Sequence, residues 1–172
     1  MATRPYDFSI KALDEDTGKF SGYASTFGGE PDSYGDIIAP SAFKWSLRQH
    51  EKRGTQVPML LHHDVKEPVG VWTSIVEDER GLKVNGRLVL EVPKAREALA
   101  LMKAKALQGL SIGYRTLEAR SNRTAGTREL TKVELHEISL VTIPANRSAR
   151  IVSVNAANIN DIREYEGFLR DA

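Results

Sequence analysis

The chain contains no cysteine. Without a thiol there is no disulfide framework, no thiolate zinc site and no cysteine nucleophile, which excludes a papain-like mechanism. No stretch approaches the ~18 consecutive apolar residues of a membrane span. The N-terminus, Met-Ala-Thr-Arg-Pro-Tyr-Asp, lacks the apolar core of a signal peptide, so an intracellular protein is expected. Neither sign of charge predominates, because 24 Lys and Arg stand against 23 Asp and Glu for a net charge of +1. That total predicts no attraction to nucleic acid or membrane, and any basic patch must be local. Repeats and low-complexity tracts are absent. A length of 172 residues fits one domain around one core.

What is present alternates more often than it repeats at helical spacing. Residues 6–13 and 19–27 read as a β-hairpin about Asp14-Glu15-Asp16-Thr17-Gly18, whose residue types favour turns. A loop from Gly28 to Gly35 precedes Ser41, which is placed to cap a helix through about Arg53. Phe43 and Leu47 fall on its inner side, Lys44, Arg48, Glu51 and Lys52 on its outer side, and Gly54 stops it. Val57 to Leu61 is a short apolar run ending in His62-His63-Asp64, and Val69 to Val76 is another strand candidate. Leu82, Val84, Gly86, Leu88 and Leu90 alternate against Lys83, Asn85 and Arg87, the pattern of a half-buried strand. Pro93 suits a helix start; Ala95, Ala98, Leu99, Met102 and Ala106 form one stripe, and Gly109 is expected to end it. Residues 109–118 and 129–143 are strand candidates around a polar loop, Ala119 to Arg128, that suggests a long hairpin. A last helix is expected near 159–171, with Ile162, Tyr165 and Leu169 on one side. Seven or eight strands with two or three helices predict a mainly β (α+β) fold, a small closed or partly closed β-barrel with peripheral helices.

The chemistry centres on Leu-Gln-Gly-Leu-Ser-Ile-Gly-Tyr at 107–114. In strand register Leu110, Ile112 and Tyr114 share one face, and Ser111, Gly113 and Arg115 the other. Gly113 leaves space beside the Ser111 hydroxyl, of the kind an approaching backbone needs. A serine hydroxyl is a poor nucleophile until an imidazole takes its proton and a third polar group orients that imidazole. His62-His63-Asp64 and His136-Glu137 supply the residue types. Alternation does not separate His62 from His63, nor Glu137 from His136. Asp64 suits a cap of the following turn, and Ser139 beside an acid reads as a hydrogen-bonding strand residue. Arg120, Arg123 and Arg128 read first as a solvated loop and second as contacts for an acidic substrate. Arg147 and Arg150 read as solvated, with a role near the oxyanion as the alternative.

Several segments in order resemble the prohead proteases of tailed double-stranded DNA bacteriophages, whose fold is similar to the herpesvirus assemblins. They are Gly22-Tyr23-Ala24 with Phe27, Gly35 to Phe43, Leu60 to Asp64, Gly109 to Tyr114, Leu135 to Asn146, and Ile162 to Arg170. The resemblance implies a serine endopeptidase of procapsid maturation that cleaves scaffold and major capsid protein, and itself, without a cofactor. Ser111 would be the nucleophile, His63 the base and Glu137 the orienting group. The assemblins have a histidine in the third role, which keeps His136 as a rival. The same resemblance places the protein in the host cytoplasm inside the assembling procapsid, binding neither nucleic acid nor membrane. A homo-oligomer is compatible with it, since assemblins act as dimers. It implies a protease domain over 1–155 and a C-terminal helical segment over 156–172. Ser41 departs from the family, which usually has glycine there, and this is expected to alter only the helix cap. Two other classes compete: a metal-dependent hydrolase using His62, His63, Asp64, His136 and Glu137, and a non-catalytic capsid assembly module.

Overall fold

The computed structural model describes residues 17–153. The first strand of the expected N-terminal hairpin, the expected helix near 159–171 and the segment 156–172 lie outside the described residues. In chain order the elements are β1 (Lys19–Thr26), β2 (Asp36–Ile38), α1 (Lys44–Arg53), β3 (Met59–Leu61), β4 (Asp64–Glu77), β5 (Gly81–Leu88), α2 (Pro93–Lys103), β6 (Gly109–Asn122), β7 (Thr127–Val141) and β8 (Ile151–Ser153). The alternation in β5 holds: Leu82, Val84 and Leu88 are buried, Arg87 is exposed, and the strand lies antiparallel between β1 and β4.

One sheet of eight strands runs β2-β7-β3-β4-β5-β1-β8, with β6 paired to β7. Its organising strand is β7. One edge pairs along nearly its whole length with β6. The other carries two short parallel strands in succession, β2 against Arg128–Leu130 and β3 against Ile138–Leu140. The fold is mainly β as expected, but the ladders do not close the sheet and so do not by themselves establish the expected closed or partly closed barrel. Near the end of that path Arg150 makes an isolated antiparallel bridge to Gly109, and Leu110 N–H donates to Ala149 O at 3.0 Å. On its other side, Tyr23 N–H of β1 donates to Arg150 O at 3.0 Å. Gly22 permits this approach, since a Cβ there would lie 2.5 Å from Arg150 O and 2.9 Å from Ile151 Cα.

The core fills from both helices and the inner sheet face, with Phe20, Phe43, Met59, Leu82, Leu110, Leu135, Ile138 and Leu140 all buried. Helix α1 is fastened to β7 by polar contacts: Ser46 Oγ accepts from Leu135 N–H at 2.8 Å, and His50 Nε2 lies 3.0 Å from Leu135 O. Helix α2 turns Ala95, Ala98, Leu99 and Met102 inward.

Three local expectations are corrected. Ser41 does not cap α1; the helix starts after Phe43 without a side-chain cap, and Ser41 has φ 72°. That is the left-handed region, where glycine is least strained, and not the extended conformation of a capping residue. The stop at Gly54, with φ 62°, is as expected. Helix α2 ends at Lys103 rather than at Gly109, because the chain turns at Lys105 with φ 59° and exposes Ala106. The polar stretch Ala119 to Arg128 is mostly strand. There β6 and β7 project beyond the core, and cross-strand pairs such as Glu118–Lys132 and Arg120–Glu129 replace the apolar alternation.

Where β1 meets the β4–β5 turn, Tyr23 OH donates to Asp78 Oδ2 at 2.6 Å, and the Arg80 guanidinium lies 4.5 Å from the Tyr23 ring centre. Burial, and then the hydrogen bond to Asp78, push the Tyr23 phenol up to about 12. Two outcomes follow. Gly22→Ala is expected to destabilise the fold by about 1–3 kcal/mol, read from the denaturant midpoint, because the added methyl meets backbone. An unchanged midpoint would show that residues 149–151 give way freely. Because the folded state holds the Tyr23 proton more tightly than the unfolded chain, its contribution is complete below the ordinary value of 10.0 and lost as pH rises toward about 12. The stability advantage of wild type over Tyr23→Phe should therefore shrink across that window.

Candidate active site

The β3–β4 connection is the tightest available. Leu61 pairs with Asp64, so His62 and His63 form a two-residue loop, with φ 51° and 61°. Two successive left-handed residues are what a primed hairpin turn requires, and for non-glycine residues that conformation is costly. The turn is held from outside. His62 N–H donates to Leu140 O at 2.9 Å and His63 N–H to Ser139 Oγ at 3.1 Å, both on β7. Asp64 opens β4 directly, and its Oδ1 accepts from Lys66 N–H at 2.9 Å within that strand rather than capping a following turn as expected. Period-two alternation stops at Leu61, and for that reason it does not separate the two histidines.

On the other side the β6–β7 register pairs Ser111 with Ser139 and Gly113 with Glu137. Directly opposed residues and those two apart share a face, so all four stand together. His63 Nδ1 lies 2.5 Å from Glu137 Oε1, and Ser139 Oγ donates to Glu137 Oε2 at 2.6 Å. Both carboxylate oxygens are thus engaged. An ionised carboxylate only accepts hydrogen bonds, so Nδ1 carries the proton and Nε2 of a neutral His63 keeps a free lone pair. Ser111 is 8% exposed, Glu137 9% and Ser139 fully buried, whereas the His63 side chain is 44% exposed. A buried carboxylate between two donors, an accessible imidazole and a buried serine on the same side of the sheet are the ingredients of nucleophilic catalysis.

Ser111, His62 and His63 line one cavity of about 950 Å³. Gly113 does leave space, but for a side chain: a Cβ there would collide with Glu137 Oε1 and lie 3.0 Å from Cδ and Cγ. The space expected for a backbone is taken by the carboxylate.

His136 is not part of this arrangement. The register steps from Gly113–Glu137 to Tyr114–Leu135 and skips His136, a β-bulge. Its exposed imidazole lies 3.5 Å from Glu134 Oε2 instead. The five residues of the metal-hydrolase reading therefore do not converge. No group of three or more His, Asp or Glu able to hold a metal ion occurs among the described residues.

One cavity wall was not foreseen. Asp36 is buried and accepts two bonds from Arg128, Nε to Oδ1 and Nη2 to Oδ2, both 2.8 Å. Arg128 is thus a strand residue of β7 rather than a loop residue, half exposed as expected of a solvated arginine yet paired with a buried carboxylate. Tyr114 OH donates to Asp36 Oδ2 at 3.2 Å, and burial, followed by the charges of Asp36 and Asp32, raises its phenol above the ordinary value. Nothing in the sequence joins Asp36 to a partner 92 positions away. Arg147 and Arg150 also line the cavity, and Arg150 Nε donates to Arg147 O at 3.1 Å.

The chain as a whole has relatives of known kind. Residues 6–164 match the family described as caudovirus prohead serine protease. The chain is 37% identical over 158 residues to the prohead protease of Enterobacteria phage HK97, spanning 90% of this chain and 68% of that one. In fold it resembles the bacteriophage T4 capsid assembly protease, with a TM-score of 0.58 at 10% identity over 72% of this chain and 80% of that one. It also resembles the KSHV protease solved with a hexapeptide phosphonate inhibitor, with a TM-score of 0.54 at 13% identity over 79% and 64%. At such identities these two likenesses speak to the fold, mainly β and assemblin-like. With the family matched across nearly the whole sequence, the chain belongs to the caudovirus prohead serine proteases and is a peptide-bond hydrolase of phage capsid maturation.

Proposed function

We propose that the chain hydrolyses peptide bonds through a Ser111–His63–Glu137 triad. The observation that carries this reading is the 2.5 Å contact between Glu137 and His63 Nδ1, in a cavity that Ser111 also lines. As His63 Nε2 takes the Ser111 proton, Oγ attacks the scissile carbonyl carbon and forms a tetrahedral oxyanion. The imidazolium then gives that proton to the leaving amine, the C–N bond breaks, and an acyl group remains on Ser111. Water, deprotonated by the same nitrogen, releases the acid and restores the serine. Glu137 stays ionised throughout, holding the Nδ1–H tautomer and stabilising the positive ring.

The substrates in this reading are the scaffold and major capsid proteins of the assembling procapsid, in the host cytoplasm, and the chain itself. Membership of the prohead protease family supports that setting. A cavity of about 950 Å³ is at the upper end of ligand-site sizes and has room for a few residues of extended chain. In this reading the protease unit is residues 1–155.

The test is cleavage of a cognate scaffold–capsid fusion by wild type, Ser111→Ala and Glu137→Gln, each checked for folding by circular dichroism. Ser111→Ala should lose at least ~10³-fold in rate. Glu137→Gln, which keeps shape but removes the charge, should lose on the order of 10²–10⁴-fold. A folded Ser111→Ala that cuts as well as wild type would sink the triad. In wild type, kcat/KM should fall on acidification, because a protonated His63 has no lone pair to accept the serine proton. A profile that does not fall on acidification, or a folded His63→Ala that cuts as well as wild type, would remove His63 as base.

A further inference from the structure

Ser139 takes no part in the bond-making steps just described, yet one atom of it touches both other ends of the relay. Its side chain is fully buried, opposite Ser111 across the β6–β7 ladder and beside Leu60 across the β3–β7 ladder. Oγ donates to Glu137 Oε2 at 2.6 Å and accepts from His63 N–H at 3.1 Å. The directions of these bonds are forced. An ionised carboxylate can only accept and a backbone amide can only donate, so the single hydroxyl proton goes to Glu137 and a lone pair goes to His63.

Both partners of the Glu137–His63 contact are therefore referenced to the same oxygen. Anchored at Oε2, the carboxylate has its rotation about the last side-chain bond restricted, and Oε1 is presented to Nδ1. Anchored at its amide, His63 is held in a left-handed conformation that a non-glycine residue otherwise avoids. Gly113 leaves room for the carboxylate, since any Cβ there would collide with Oε1, the oxygen that meets His63 Nδ1. Without the hydroxyl, Glu137 would keep only its bond to His63, and the His63 amide would lose its partner.

We propose that Ser139 is a positioning residue for peptide hydrolysis, one hydroxyl that orients the Glu137 carboxylate and the His63 backbone toward each other. The inference rests on the Ser111–His63–Glu137 reading and deepens it. It requires that loss of the hydroxyl weaken the chemical step more than substrate binding. A hydrogen bond to a charged group and a small displacement of a general base each correspond to about 10- to 100-fold in rate.

The experiment compares wild type, Ser139→Ala, Ser139→Cys and Ser111→Ala on the scaffold–capsid fusion, measuring kcat and KM separately along with thermal midpoints. Proton NMR follows the His63 Nδ1–H resonance in a Ser111→Ala background, which prevents self-cleavage. The short contact to Glu137 should place that resonance far downfield, and Glu137→Gln should abolish it. With Ser139 replaced by Ala or Cys, kcat should fall about 10- to 100-fold with KM little changed, and the resonance should move upfield or broaden by exchange. Cysteine, near in size and a poor donor, keeps the test open if the alanine variant does not fold. An unchanged kcat and resonance in a folded Ser139 variant, with Ser111→Ala inactive, overturns the positioning role and leaves the triad standing. A lowered thermal midpoint with the resonance unmoved assigns Ser139 to packing alone, and also overturns it. If Ser111→Ala is itself active, the triad has failed and this inference with it.

Discussion

A buried carboxylate must find partners or stay neutral, and the partnering of Glu137 ties the rest of the site together. Its two oxygens take one bond from the His63 ring and one from Ser139, so each oxygen has a partner. Burying a charge is expensive when unpaired, and this cost makes the pairing selective among arrangements of the surrounding strands. The turn carrying His63, the strand carrying Ser139 and the glycine that clears the space must all be in place together. The site is therefore a consequence of three-strand packing more than of any one segment.

That packing depends on β7 being used on both edges. Along one edge the antiparallel ladder brings Ser111 and Gly113 beside Ser139 and Glu137. Along the other, the parallel strand β3 ends level with Leu140, so the chain reverses where His63 can reach back to Glu137. A slip of one residue in either ladder would carry a member of the set to the opposite face. The bulge at His136 absorbs one residue between the catalytic half of β7 and its outer half. It leaves His136 exposed while Leu135 and Glu137 stay buried. Helix α1 bonds to Leu135 next to that bulge through Ser46 and His50, so the irregular ladder is supported by side chains.

A second buried carboxylate organises the opposite wall. Asp36, with two bonds from Arg128 and one from Tyr114, joins β2, β7 and β6. Asp32 Oδ1 accepts from the N–H groups of Tyr34 and Asp36, shaping the loop before β2. Ser33 N–H reaches Ala145 O at 3.3 Å, linking this loop to the segment after β7. Removing one partner of such a pair leaves an uncompensated buried charge, which makes the wall sensitive to single substitutions. Asp36 thus lines the cavity directly, whereas Glu137 lies behind His63, which lines it.

What could be read along the chain was whatever depends on neighbours in sequence. The alternation of β5, the inward stripe of α2 from Ala95 to Met102 and the stop at Gly54 were legible there; Ser111, His63 and Glu137 were singled out by resemblance to a family. The choice between His62 and His63, or Glu137 and His136, was not open to periodicity. A two-residue left-handed turn and a bulge each break the period from which a face is assigned. The cap at Ser41 and the helix stop at Gly109 were misread for a related reason, since positive φ at Ser41 and Lys105 redirects the chain without a glycine to mark it. That Ser139 would hydrogen-bond beside an acid was legible, but its bond to the His63 amide, the Glu137 carboxylate filling the space at Gly113 and the Asp36–Arg128 pair lay beyond the sequence, because these partners are 76, 24 and 92 positions apart. Local residue order determined which strands and helices form and which groups are available for chemistry; the registers of β6 and β3 on β7 decided which of those groups meet, because only burial against a distant strand makes pairing obligatory.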